Sequence, residues 1–213
     1  MVERAQDRWR VPLAVSGMLA PLVYSASALI ASRTYPDFSH RTTFISVLGA
    51  TGAPSARVMN FGGFLPYGVL VMALASALHR TLRSAVGGWL GPMLLGVYGL
   101  AYVALAFAPC DYGCAAAAPS LHHRIHLLLG DLIVVAAVAA PVALYSRMLA
   151  DAEWSSLAPA TLVLPASAWL VFSVPMSGLP GAVRQRLWLL LIFIWIELVS
   201  VRLFRLRGGE GRR

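Results

Sequence analysis

The chain has 213 residues, of which 59% are hydrophobic and 12% charged, and its formal net charge is +8. Soluble domains carry about 25% charged residues, so this composition excludes a soluble enzyme, a nucleic-acid-binding module and a disordered segment. The arginines flank apolar stretches, which is typical of membrane proteins rather than of proteins that bind nucleic acid. The sequence therefore predicts a protein that crosses a membrane several times, with membrane lipid as its partner.

Six apolar stretches follow one another along the chain, and each predicts a membrane-spanning helix. Each has the roughly 20 residues that cross a hydrocarbon core about 30 Å thick. The backbone within lipid must satisfy its own hydrogen bonds, so these spans are helical. We predict one all-α domain, residues 1–213, folded as a transmembrane bundle of six helices. The predicted spans are residues 11–31, 58–78, 88–108, 123–146, 156–174 and 185–204.

The distribution of arginine predicts the orientation of the bundle. Six spans place both termini on one side of the membrane, where the sequence has 11 arginines, against 6 on the opposite side. Cytoplasmic segments carry an excess of basic residues, so we expect both termini in the cytoplasm. The two longest loops, residues 32–57 and 109–121, then lie outside, and we expect a multi-pass protein of the cell membrane, a bacterial inner membrane.

The first of these outer loops contains an apolar patch, residues 44–50. This patch predicts a segment that lies in the membrane interface or re-enters between helices. Gly49, Gly52 and Pro54 supply turns at its end. Ser46 lies within the patch, either as a hydroxyl that caps a turn or as a polar group directed into a site.

The second outer loop contains both cysteines of the chain, Cys110 and Cys114. Two cysteines make an incomplete zinc site, because structural zinc takes four ligands. A disulfide that closes a tight turn is expected if this loop faces an oxidising compartment. The sequence leaves free thiols and a metal-binding pair open as alternatives.

The fourth span begins with a histidine cluster. His122 and His126 are four residues apart, so they project from one face of the helix and can present two imidazoles to one metal ion. Together with Asp111 and His40 from the two outer loops they make a set of nitrogen and oxygen ligands suited to zinc. The alternative is a polar cap at the membrane interface without metal.

Two carboxylates lie within predicted spans, Asp131 in the fourth and Glu197 in the sixth. Charged side chains inside a membrane usually face the interior of the bundle and have a partner. We expect Asp131 to form a structural contact or to belong to a proton or head-group site. Glu197 lies in the half of its span away from the outer loops, so we do not place both carboxylates in one site.

Three motifs follow one another in the chain. They are Ile45–Pro54 followed by Met59–Gly62, then Ala108–Cys114, and then Leu121–His122 with His126. They resemble the I-S-x-L-G-A-x-G-x-P…x-N-x-G, F-P-C-D-x-G-C and His-x3-His motifs of the prokaryotic family catalogued as domain of unknown function 998, with Ala108 in place of Phe. The resemblance spans residues 11–205 and implies a six-helix integral membrane protein without an assigned activity.

These observations predict a polar pocket at the lipid interface that binds or processes a lipid. In the enzymatic version a zinc ion held by His122, His126 and either Asp111 or His40 lowers the pKa of a bound water. Ser46 then positions the substrate, and Ser46 and Asp111 are the catalytic candidates. The alternative is a non-catalytic bundle that binds or organises lipid, and a small transporter using Asp131 and Glu197 is a third interpretation.

Overall fold

The computed structural model describes residues 9–82, 88–175 and 177–206 of the chain. The regular structure of these residues is helical, without a strand, so the predicted all-α class is confirmed. The helices are α1 (Arg10–Thr34), α2 (Leu65–Thr81), α3 (Leu90–Leu105), α4 (Leu121–Ala150), α5 (Ala158–Ser173) and α6 (Gly181–Arg205). A π-helical segment, Val58–Phe64, leads directly into α2.

The helices have the length and composition of membrane spans. Five are long and apolar enough to cross a membrane when the π-helical segment is counted with α2 and the preceding turn with α5, and α3 is a shorter apolar helix of 16 residues. Their outward surfaces expose large apolar side chains, among them Leu22, Leu128 and Leu190. A soluble monomer rarely exposes so much contiguous apolar surface, whereas a lipid environment accepts it. That residues 1–213 form one domain stays a prediction.

The six helices form a closed ring in chain order. Each helix packs against the next one, and α6 packs against α1. One end of the ring contains the C-termini of α1, α3 and α5 and the N-termini of the π-helical segment, α4 and α6. This end, here called the loop end, also bears the two long loops, residues 35–57 and 106–120. The ring closure brings the first and last spans of the sequence side by side.

Small residues allow neighbouring helices to approach closely. A Cβ at Gly68 would lie 2.4 Å from the carbonyl oxygen of Gly99, so the backbones of α2 and α3 touch at this pair. Gly91 similarly accommodates Leu144 of α4. Helices in lipid associate through such packing because no hydrophobic driving force acts between them.

The middle of the ring is filled by an aromatic cluster, defined here as Tyr24, Phe64, Tyr67, Tyr98, Tyr102 and Phe193. The hydroxyls of Tyr67 and Tyr98 form a buried hydrogen bond of 2.8 Å, and the rings of Tyr67 and Tyr102 lie 4.7 Å apart in an edge-to-face arrangement. Buried tyrosines need such partners because an unpaired hydroxyl is costly away from water. The cluster closes the interior of the ring below the loop end.

A cavity at the loop end as the candidate functional site

The first long loop returns into the end of the ring. Its apolar patch forms a short 3₁₀ segment, Ile45–Gly49, in which every residue except Ser46 is buried. The backbone N–H of Ile45 donates to Oε1 of Gln185 on α6 over 2.8 Å, and the hydroxyl of Ser55 donates to the carbonyl of Leu48 over 2.7 Å. These bonds hold the segment between the helix ends, as a re-entrant loop.

Gly49 and Asn60 are in direct contact in the structure. The side-chain amide of Asn60, within the π-helical segment, donates to the carbonyl of Gly49 over 3.0 Å. A Cβ at Gly49 would lie 2.3 Å from Oδ1 of the same asparagine, so this position has no space for a side chain. The spacing of glycine and asparagine in the first motif is therefore explained by one contact between the re-entrant segment and the second span.

The second long loop is closed by a disulfide and joined to the first loop. Cys110 and Cys114 are bonded, with their Cα atoms 5.1 Å apart. Gly113 lies between them with a φ of +74°, a conformation that glycine adopts without steric cost. The backbone N–H of Thr51 donates to the carbonyl of Cys110 over 2.8 Å. The hydroxyl oxygen of Ser46 lies 3.8 Å from Sγ of Cys114, so the two motifs meet at the disulfide.

Asp111 connects this loop to the start of α4. Its Oδ2 accepts a hydrogen bond of 3.0 Å from the backbone N–H of Ser120 and lies 3.2 Å from Nδ1 of His123. Ser120 caps the helix, since its hydroxyl accepts from the backbone N–H of His123. The hydrogen bond from Ser120 lowers the pKa of the Asp111 carboxyl, and His123 adds to the effect. Asp111 therefore acts as a structural anion at a helix N-terminus.

His126 is buried one turn further along α4. Its Nδ1 lies 3.0 Å from the carbonyl oxygen of Ala108, which is an acceptor only, so the proton of a neutral ring resides on Nδ1. The other ring nitrogen, Nε2, is then left as an acceptor. A ring nitrogen of His126 also lies within 4.8 Å of the sulfurs of Cys110 and Cys114.

A cavity of about 500 Å³ lies beneath these loops. Its polar lining includes Ser46, His126, Asp131 and Gln185, and Asp131 is an exposed residue although it lies ten residues into a membrane-spanning helix. The rest of the lining is mostly aromatic or aliphatic and includes Tyr24, Phe64 and Tyr102 of the aromatic cluster, with Leu105, Ile133, Phe172, Trp188 and Leu189. The volume and the mostly apolar lining with a few polar groups are typical of small-molecule sites.

The structure brings only some of the predicted site residues together. Ser46, His126 and Asp131 line the cavity. His122 is exposed on the first turn of α4, and Glu197 is half-buried on α6 without lining the cavity.

The predicted zinc ligands His40, Asp111, His122 and His126 do not assemble. Among the described residues, the cluster of three or more groups with metal-ligand atoms close together is Cys110, Cys114 and His126. Asp111 is engaged by Ser120 and His123 instead, and His40 lines a separate crevice between α1 and α6. The prediction of a four-residue zinc site is corrected on this ground.

Sequence reasoning missed several residues of the site. His123 is not among the predicted site residues, although Ser120 three residues earlier is a helix-capping signal that locates it in the first turn of α4. The sequence around Gln185 and Trp188 contains no motif that predicts a site. These residues reach the cavity only because the first loop folds back and α6 packs against it. The same holds for Tyr24 and Tyr102, which lie in ordinary apolar spans.

A ring of six apolar helices with an amphipathic cavity at one end defines a helical multi-pass membrane protein. The family model described as "Protein of unknown function (DUF998)" matches residues 18–202, and the chain belongs to this family. Neither the curated proteins nor the solved structures contain a match to the chain. Membership agrees with the sequence resemblance and carries no assigned activity.

Proposed function

We propose that the protein binds one amphiphilic membrane molecule in the cavity at the loop end. The observation that carries this proposal is the cavity itself, about 500 Å³, with an apolar and aromatic lining and four polar side chains. The apolar lining can pack closely against an acyl chain, the contact that drives association within lipid, and the polar side chains give orientation and specificity to a head group. The cavity lies within an apolar bundle, where the ligand is a membrane component.

The polar groups favour a head group that bears hydroxyls. The carboxylate of Asp131 and Nε2 of His126 are hydrogen-bond acceptors, so a complementary ligand has a hydrogen-bond donor. Trp188, which also lines the cavity, is 4% exposed and its indole N–H has no hydrogen-bond partner. A buried donor without a partner is costly, and a ligand hydroxyl can accept from it while donating to a carboxylate. A neutral, hydroxyl-bearing lipid therefore matches the lining.

The geometry supports binding better than the other two interpretations. Zinc-dependent lipid hydrolysis needs converging ligands with one open position, and the predicted histidine and aspartate ligands do not converge. A transporter needs a polar path between the two sides, but Glu197 does not line the cavity that Asp131 lines. The non-catalytic alternative, a bundle that binds lipid, is the one that the arrangement favours.

The orientation of the cavity is part of the proposal. We propose that the loop end faces the outside of the cell membrane, as the 11 to 6 distribution of arginines favours. The disulfide between Cys110 and Cys114 supports the same orientation, because disulfides persist in oxidising compartments. The ligand then belongs to the outer leaflet.

The proposal is tested by filling the cavity from α4. Gly130 lines the cavity, and a Cβ added there meets no atom within 4 Å, so Gly130→Leu places a side chain in the open space. The probe is a monoacylglycerol with a diazirine in its acyl chain, mixed into phosphatidylcholine vesicles that contain the protein. We expect photolabelling of α4 and α6 to fall about tenfold in the variant, because the leucine occupies space that the acyl chain needs and such overpacking costs about 1–3 kcal/mol.

Gly96→Leu is the matched control. Gly96 is a helical glycine of α3 that also meets no atom within 4 Å, and it does not line this cavity. Both substitutions replace glycine within a helix and favour helix formation by up to about 1 kcal/mol, so neither is expected to unfold the protein. Equal labelling of Gly130→Leu and the wild-type protein contradicts the proposed function.

A further inference from the structure

A second opening lies on the side of the bundle, between α1 and α6. This α1/α6 crevice has a volume of about 310 Å³. Its walls are mostly apolar and include Leu29 and Leu190, which are about half exposed on the outward surface. Tyr24 and Leu189 line both the crevice and the loop-end cavity, so the two spaces are neighbours. The crevice therefore opens toward the bilayer rather than toward the centre of the ring.

One guanidinium lies in this apolar crevice. Arg186, on the second turn of α6, lines it together with His40 and Phe38 of the first loop. Its Nη1 donates to the carbonyl of Ala182 in the same helix over 2.8 Å, and the guanidinium carbon lies 5.7 Å from the centre of the Phe38 ring. Its Nη2 is buried and has no hydrogen-bond partner.

None of these contacts neutralises the charge of Arg186. A backbone carbonyl is a dipole and an aromatic face a quadrupole, so neither carries a net negative charge. No Asp or Glu lines the crevice in the part of the chain that the structure describes. A cation in a membrane-spanning segment normally pairs with an anion or reaches water. The planar guanidinium is suited to two parallel hydrogen bonds with a phosphate or carboxylate.

We propose that the α1/α6 crevice binds the anionic phosphate head group of a membrane lipid, with Arg186 as its counter-ion. The acyl chain lies along the apolar walls, and the exposed imidazole of His40 is a second donor at the mouth of the crevice. The site is distinct from the loop-end cavity, whose polar groups favour a neutral head group. The position of Arg186 beside the bilayer favours a lipid over a free anion as the ligand.

The test compares two lipids that differ in charge. The wild-type protein is placed in nanodiscs of phosphatidic acid and phosphatidylcholine in equal amounts, and the lipids retained after transfer to the gas phase are counted by native mass spectrometry. We expect one phosphatidic acid to be retained in preference. In Arg186→Gln the preference falls about tenfold, as expected for the loss of a charge-assisted hydrogen bond, and in Arg186→Lys it is partly kept.

Arg33→Gln is the matched control, because Arg33 is exposed in the last turn of α1 at the same end of the bundle and does not line the crevice. Ser25→Phe, which narrows the crevice and leaves Arg186 in place, is expected to lose the preference as well. An equal loss in Arg33→Gln and Arg186→Gln, or no preference in the wild-type protein, overturns the proposal. Displacement of the lipid by millimolar inorganic phosphate also overturns it, since the site then takes a free anion. Loss of monoacylglycerol labelling in Gly130→Leu is independent of these results.

Discussion

Asp111 shows how one side chain can organise the loop end of the bundle. Its carboxylate accepts the backbone N–H of Ser120, the residue that caps α4, and lies beside the imidazole of His123. The residue chemistry alone is compatible with a metal ligand or a catalytic acid. The contacts assign it to holding the second loop against the helix N-terminus, where the first N–H groups of a helix attract an anion.

The lowered pKa of Asp111 predicts a pH dependence. Its ionised form stabilises the fold above the ordinary carboxyl pKa of about 3.9, and this contribution is lost as the pH falls through the lowered pKa of the folded protein. We expect Asp111→Asn to lower the Tm in detergent at pH 7, and the difference from the wild-type Tm to shrink as the pH falls below the ordinary carboxyl pKa and through the lowered pKa of the folded protein. The readout is the Tm of both proteins over a pH series.

The control is Asp37→Asn. Asp37 is exposed in the first loop with a φ of +51°, a conformation that asparagine also tolerates. This substitution removes the same charge and is expected to leave the Tm unchanged across the series. A Tm of Asp111→Asn equal to that of the wild-type protein at pH 7 contradicts the structural role.

The elements at the loop end are irregular for a physical reason. The re-entrant segment Ile45–Gly49 buries apolar side chains, but its backbone cannot form a full helix, so its polar groups find partners on other elements. Gln185, Asn60 and Ser55 supply them. Non-helical backbone at membrane depth is tolerated where protein surrounds it in this way. The second long loop, which the disulfide closes, then packs over this segment at the loop end.

Removing the disulfide should loosen this arrangement. For a closed loop of about five residues the loss of chain entropy in the unfolded state corresponds to about 2 kcal/mol of stability. We expect Cys110→Ser/Cys114→Ser to have a lower Tm than the wild-type protein. Adding a dithiol reductant to the wild-type protein should lower its Tm similarly and leave the double variant unchanged. If the reductant leaves the Tm of the wild-type protein unchanged, either the disulfide bond or its contribution to stability is contradicted.

The whole molecule is a ring whose two ends differ. The loop end has two long loops, a disulfide and a cavity, whereas α4 and α5 are joined at the other end by a short connection. Trp154 in that connection is 1% exposed, and the guanidinium of Arg147 contacts the carbonyl of Leu82 there. This asymmetry, together with the arginine distribution, leads to the proposed orientation with the loop end outside.

Reporter fusions test the orientation. Alkaline phosphatase needs disulfides and folds only in an oxidising compartment. We expect a fusion after Gly178, in the connection between α5 and α6 at the loop end, to be active. A fusion after Ala152, in the connection between α4 and α5, is expected to be inactive. The reverse pattern contradicts the orientation and leaves both binding proposals to be tested from the other leaflet.

The spans were predictable because length and apolarity alone decide whether a segment can be a helix in lipid. The re-entrant segment was predictable as one of two alternatives, since seven apolar residues are too few to cross. The helical start near His122 and His126 was also visible. The sequence does not predict which of these histidines faces inward. Helical spacing gives the angle between two side chains on one helix, but it does not give the rotation of that helix within the bundle. Packing exposes His122 and buries His123 and His126.

The sequence by itself determined the class of protein, the six apolar helices that the structure describes and the two loops that carry polar residues. The tertiary structure alone decided the sites. Gln185 and Trp188 meet Ser46 and His126 only because the first loop folds back onto α6. Arg186 meets Phe38 and His40 only because the ring closes α6 against α1. These contacts join segments about 140 residues apart, so they depend on which helices pack side by side. The hydrophobicity of each span determines that it is a helix in lipid but not which helix is its neighbour.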